Sequence, residues 1–200
     1  MRIVVISPEG RDAREIPAIG GFLEAGLTRY HVRKPAWSRD ELEAWLLALP
    51  SAWRPALVLH QHHDLVDALG LGGQHVRDTE GSAPGLSRSC HDVASLGRHM
   101  SLYPQVIFGP VFPSLSKPGH GPSKEFPWAS LREVLTGRRD IACEVLAIGG
   151  ITRRRLGRVA ELGFDGAAVL GAVWNAIDPV LAFAAINETA SSLEAAHHAA

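Results

Sequence analysis

Three segments of the sequence carry polar groups of the kind that hold a phosphate. The pair Gly149-Gly150 closes the apolar run EVLAI and directly precedes an amphipathic stretch opening at Thr152. Backbone amides there can approach an anion without a Cβ in the way, with the amino end of a helix behind them. A second turn, Leu170-Gly171, follows the run GAAV. The segment GPVFPSLSKPGHGPSKEFP (109–127) places Ser114 and Ser116 two residues apart and then Lys117, hydroxyls and an ammonium that suit a diphosphate. Arg33 stands just past another β-branched run, with a charge that no ordinary pH removes, and can clamp the same anion from the opposite side.

Histidines and carboxylates gather at comparable positions. His31 precedes Arg33 and Lys34, the run LHQHHD contains His60, His62 and His63, and His75 comes shortly before Asp78 and Glu80. Ser89 and His91 follow one strand later. The histidine run lacks the helical spacing of a zinc signature and has no partner motif, so it reads as structural or substrate-contacting rather than metal-binding.

These residues need a scaffold that brings them to one place. Short β-branched runs occur at 2–6, 28–32, 56–60, 73–76, 86–90, 105–108, 144–148 and 166–170. Helical patterns fill most intervals: about 16–25, the run from Ser38 with its serine cap and early acidic residues, 64–70, 92–99, 128–136, 152–162 and 176–186. Strands this apolar need cover on both faces, and eight strand and helix units predict a single closed (β/α)8 TIM barrel. In such a barrel the carboxyl ends of all strands open on one mouth, which is where the residues above fall. Residues 77–85 are too few and too rich in turn formers for a helix, so the β4–β5 connection should be reduced. The loop 109–127 is longer than compact domains carry without purpose. The barrel should span 1–186, with the alanine-rich stretch 187–200 as a tail that is a frayed helix or a disordered end.

Composition agrees with one ordinary globular domain. The 200 residues are 46% hydrophobic and 20% charged. Twenty basic residues against 21 acidic ones give no field for nucleic acid or an anionic membrane. No stretch reads as a signal peptide or membrane span, which predicts a cytoplasmic protein. Cys90 and Cys143 have no motif spacing and read as reduced core residues. A homodimer is compatible with the sequence and not specified by it.

Five segments together resemble the thiamine phosphate synthase and TenI-like superfamily: YHVRKP (30–35), LSRSCHD (86–92), VIFGPVFPSLSK (106–117), LAIGGIT (146–152) and GFDGAAVLGAVW (163–174). The resemblance spans residues 1 to about 185, and GPVFPSLSK is its most specific piece. It implies a transferase that joins a hydroxymethylpyrimidine diphosphate to a thiazole phosphate with release of pyrophosphate and help from Mg²⁺. By position, Arg33, Ser89, Ser114, Ser116 and Lys117 fall where the family meets pyrophosphate. Gly149, Gly150, Leu170 and Gly171 fall where it holds the thiazole phosphate. His31 occupies the pyrimidine-contacting position, usually glutamine, and His60, His62 and His91 are read as further substrate contacts.

Departures from the family pattern are specific. The usual Asn-Asp pair reads His60-Gln61, so one magnesium carboxylate is missing. Glu80 aligns with the other aspartate, and Asp78 is its neighbouring substitute. Pro35 replaces a second basic residue, with Lys34 as the compensating cation. TenI-like tautomerases carry a histidine where this chain has Pro110, so tautomerase chemistry would need His62 or His120. A non-catalytic binder of thiamine intermediates is the third reading.

Overall fold

Parallel strands pair in chain order and the eighth returns to the first, closing a barrel. The computed structural model describes residues 1–80, 84–114, 119, 121–138 and 141–198, with backbone only for 196–198. Its strands are β1 Arg2–Ile6, β2 Tyr30–Val32, β3 Leu57–Leu59, β4 Gly73–Val76, β5 Ser87–Cys90, β6 Gln105–Phe108, β7 Glu144–Ile148 and β8 Gly166–Val169. The helices are α1 Glu15–Glu24, α2 Arg39–Leu47, α3 Asp64–Leu69, α4 Val93–Met100, α5 Trp128–Gly137, α6 Leu156–Glu161, α7 Gly171–Trp174 and α8 Pro179–His198. The expected barrel is therefore what forms, and each expected strand lies within a residue or two of its place.

Local chemistry explains the elements. Ser38 opens α2 with a capping box: its hydroxyl accepts the Glu41 amide at 3.2 Å, and the Glu41 carboxylate accepts the Ser38 amide at 3.0 Å. Asp92 caps α4 by accepting the Ser95 amide at 2.7 Å. Alternation along each strand then sorts side chains to two layers. Outward residues such as Val5, Tyr30, Leu57, Leu59, Val145 and Val169 pack under the helices.

The inward residues split the barrel's interior in two. Val4, Ile6, Ile107, Leu146 and Ala168, with Ile148 and Leu170 against them, form a compact apolar cluster from β1, β6, β7 and β8. β2 to β5 instead contribute His31, His60, His75, Ser87 and Ser89. At the amino-terminal end, Glu144 accepts from Arg2 Nε at 2.8 Å and from Gln105 Nε2 at 3.1 Å.

Two regions refine the expectations. Among the described residues, β4 and β5 are joined without a helix, and on β5 the outward-facing Arg88 is met by polar groups. Arg88, almost fully buried and outward-facing, donates to the Tyr103 hydroxyl at 3.0 Å and to the Asp78 carbonyl at 3.0 Å. Of the two forms expected for the tail the helical one is found: α8 continues to His198, with Ala190 fully buried and the Met1 amine bonded to the Ala190 carbonyl at 3.3 Å and Glu194 at 2.9 Å. The boundary at 186 falls inside this helix. Deleting residues 187–200 is expected to lower unfolding free energy by about 1–3 kcal/mol, as a truncation of buried apolar contact. An unchanged midpoint in urea unfolding followed by circular dichroism would contradict this packing.

Candidate active site

The carboxyl rim contains a cavity of about 300 Å³ lined by Glu9, Ser114, Ile148 to Ile151 and Ala168 to Gly171. Its shape comes from the way the chain leaves β6. The amide of Val111 donates to the Ile148 carbonyl at 2.8 Å, and that of Phe112 to the Gly149 carbonyl at 3.1 Å, so the β6 loop is stapled over the end of β7. Gly149 and Gly150 have φ of 97° and 60°, left-handed conformations that favour glycine. A Cβ on Gly150 would also run into the Pro113 carbonyl. The expected helix dipole is not behind them, since the chain next forms a 3₁₀ turn at Arg153–Arg155 and α6 starts only at Leu156. The glycine amides and the adjoining turn remain. Gly149, Gly150, Leu170, Gly171 and Ser114 thus share one cavity, while Ser116, Lys117 and His120 lie outside the described residues.

Arg33 stands at the same rim. Its guanidinium pairs with the Glu9 carboxylate, and Glu9 lines the cavity. Ser7 fixes the backbone beneath it, accepting the Arg33 amide at 2.8 Å and donating to the Arg33 carbonyl at 3.1 Å. Glu9 was missed from sequence, although its place just past β1 marks it as a rim residue.

Lys34 does not reach the site. Its ammonium, fully buried, bonds the carbonyls of Pro8 at 2.8 Å and Gly10 at 3.0 Å and the Glu15 carboxylate at 2.5 Å. Glu15 also accepts the Tyr30 hydroxyl at 2.8 Å. The physical reason is strand alternation, which turns Arg33 toward the mouth and Lys34 under the helices. Burial raises the Glu15 pKa and lowers that of Lys34, and their mutual hydrogen bond opposes both shifts. The pair ties the β1–α1 loop, and with it Glu9, to β2.

The metal expectation also changes. Asp78 faces the outer layer, with its carboxylate 3.9 Å from Arg88 and 3.8 Å from His99, because a buried arginine there needs counter-charge. Glu80 folds back to accept the Arg77 amide at 2.7 Å. These two carboxylates do not converge, and they do not form the oxygen cage that Mg²⁺ prefers.

His31, His60 and His75 come together inside the barrel. His31 Nδ1 lies 3.0 Å from His60 Nε2, and the His60 and His75 rings stack with centroids 4.2 Å apart. His75 meets Ser87 through Nδ1 and Ser89 through Nε2, both at 2.8 Å. Ser89 is therefore held by His75, a partner whose role the sequence left undefined. His62 turns away to the Trp37 carbonyl at 3.1 Å, and His91 to the Gly109 carbonyl at 2.6 Å.

Geometry of this kind defines a class: a parallel (β/α)8 barrel whose working groups gather at the carboxyl rim. The chain matches the family described as thiamine monophosphate synthase over residues 3–173, and it belongs to that family. It is 29% identical over 169 residues to a thiamine-phosphate synthase of Halorhodospira halophila, covering 77% of each chain. With a thiamine-phosphate synthase of Bordetella avium it shares 30% over 191 residues, covering 86% of this chain and 87% of the other. Among solved structures, a thiamine phosphate pyrophosphorylase from Bacteroides thetaiotaomicron superposes with a TM-score of 0.79 at 26% identity, over 96% of this chain and 98% of that one.

Two outcomes follow. Lys34→Ala strands the buried Glu15 and is expected to cost about 3–5 kcal/mol, whereas Lys34→Met with Glu15→Leu should lose much less; urea unfolding of both variants distinguishes them. The second concerns acid. Burial, with the Arg29 charge second, pushes His31 from 6.5 down to about 3, while His60 and His75 are held well below the ordinary range by burial and by neighbours that include Arg33, Arg77, His63 and Arg88. The unfolded chain binds a proton at His31 near pH 6.5 and the folded chain only near pH 3, so between those values acid favours unfolding. Stability should fall with decreasing pH by up to about 1.4 kcal/mol per unit for each such histidine. His31→Gln is expected to flatten that slope, measured by unfolding at successive pH values.

Proposed function

We propose that this chain is a transferase that couples hydroxymethylpyrimidine diphosphate to thiazole phosphate, forming thiamine phosphate and pyrophosphate. The observation that carries the reading is the glycine-walled cavity at Gly149-Gly150 and Leu170-Gly171 in a chain of this family. Its volume of about 300 Å³ suits a small phosphorylated ring. In the reaction the bond between the pyrimidine methylene and the diphosphate oxygen breaks, and the thiazole nitrogen bonds the same carbon. The electron pair of the broken bond leaves with pyrophosphate.

Such a path needs no protein nucleophile. It needs the charge of the leaving group held and the two rings aligned. Arg33 is the cation for the leaving pyrophosphate once it exchanges Glu9 for substrate oxygens. Ser114 and, from the resemblance, Ser116 and Lys117 supply the remaining polar contacts. Ser89, held by His75, is a donor at the next strand end. The amides around Gly150 and Gly171 take the thiazole phosphate, and the imidazoles of His31 and His60 stand on the pyrimidine side. His62 and His91, which the resemblance reads as further pyrimidine contacts, would have to leave the Trp37 and Gly109 carbonyls to reach the substrate. Mg²⁺ is the ion the resemblance implies, and Asp78 and Glu80 do not assemble an oxygen site for it.

A cytoplasmic setting accords with the two free, buried cysteines, Cys90 and Cys143. No described helix is long and apolar enough to cross a membrane. A homodimer would cover Ile177 and Leu181, apolar and exposed beside α8.

Purified chain given both substrates and Mg²⁺ should release thiamine phosphate and pyrophosphate in equal amounts, followed by chromatography and a coupled pyrophosphate assay. Arg33→Ala is expected to raise KM for the diphosphate substrate roughly 10- to 100-fold, the worth of one charge-assisted hydrogen bond. Gly150→Ala should instead act on the thiazole phosphate, lowering kcat/KM about a hundredfold through misplacement of the ring. Absence of turnover by the unmodified chain would sink the assignment.

A further inference from the structure

The polar half of the barrel's interior holds a second constellation, independent of whether the transferase reading stands. We infer that His31, His60 and His75 form a nitrogen site for one late first-row divalent cation, with Zn²⁺ as the class representative. The three residues come from consecutive strands, His31 within β2, His60 just past β3 and His75 within β4, all buried, and each offers a ring nitrogen within 4.8 Å of the other two. Among the described residues it is the one cluster of histidine, cysteine and carboxylate side chains with such convergence.

Several observations point to a missing ligand. Within the cluster, the fully buried His31 has one ring nitrogen on His60 and its other, Nε2, without a hydrogen-bond partner among the described residues. Buried polar atoms are rarely left this way, since each costs the loss of its hydration. At 3.0 Å, His31 Nδ1 and His60 Nε2 share a single proton, and a cation would replace that proton. Around His75, the Ser87 hydroxyl can keep accepting from Nδ1 while Ser89 yields Nε2, the arrangement by which an outer partner orients a metal-bound imidazole.

Donor chemistry selects the ion. Zn–N bonds of about 2.0–2.1 Å place tetrahedral donors roughly 3.4 Å apart. The His31–His60 donor pair lies at 3.0 Å and all three donors lie within 4.8 Å of one another, close to that spacing. Three imidazoles with no carboxylate or thiolate favour Zn²⁺, Co²⁺, Ni²⁺ or Cu²⁺ over Mg²⁺. Neutral imidazole is the binding form, and burial keeps all three rings neutral. Three protein donors leave a fourth position for water or an anionic oxygen. The nearby charges of Arg33 and Arg77 favour an anion there.

The test is a titration of chelator-stripped, full-length protein with Co²⁺, followed by visible absorption, then by competition with Zn²⁺. The expected result is one equivalent bound with the intense bands of a tetrahedral ion. His31→Gln, His60→Asn and His75→Asn should each weaken binding at least about tenfold while circular dichroism stays native, and His91→Asn should not. Retention of binding in the three variants, equal loss in His91→Asn, or the absence of stoichiometric binding overturns the inference. If a variant does not fold, pulsed electron paramagnetic resonance of the Cu²⁺-loaded unmodified chain decides: three coupled imidazoles support the site, and one or none refutes it. None of these readouts depends on turnover, so failure here leaves the proposed reaction standing and the converse holds as well.

Discussion

A closed barrel admits to its interior only the side chains that alternation turns inward, and that space must be filled without voids. In this chain the constraint is met by two unlike materials. β1, β6, β7 and β8 fill their share with aliphatic groups, while β2 to β5 bring imidazoles and hydroxyls that meet one another at 2.8–3.0 Å and leave His31 Nε2 without a partner among the described residues. The aliphatic half gives the glycine cavity a rigid floor. The imidazole half gives the opposite side of the mouth its polar character.

The rim is held from below by a different device. A buried ammonium and carboxylate are costly to desolvate, and they persist where surrounding hydrogen bonds hold them in one geometry. Lys34 and Glu15 are positioned that way, and the bonds from Lys34 to the carbonyls of Pro8 and Gly10 bracket Glu9. The contact between Glu9 and Arg33 thus rests on a fixed loop, so an arriving anion competes with one carboxylate in a known place.

Much of this was legible in the residues. The strand runs, the Ser38 cap, the helix-free connection after β4 and the cavity glycines could all be read from pattern and turn chemistry. Alternation would have taken the reading further: with His31 inward, Arg33 follows it and Lys34 does not, and with His75 inward, Asp78 and Glu80 fall on the other face. Those assignments failed because rim position was counted without facing. The long helix α8 was hidden by alanine, which packs closely yet gives little periodic contrast. The meeting of His31, His60 and His75 depends on register between strands, such as His31 opposite Val58 and His75 opposite Ser87, which no local pattern contains.

The polar contacts beside the helix-free β4–β5 connection have a consequence for how the molecule responds to cold. Apolar burial weakens on cooling, whereas polar surface carries a heat-capacity term of opposite sign. The bonds joining Arg88, Tyr103 and Asp78 cover β5 with the second kind of contact. Cooling weakens the apolar contacts that Cys90, Leu96 and Met100 make on the same side, so these hydrogen bonds carry a larger share of its cohesion in the cold.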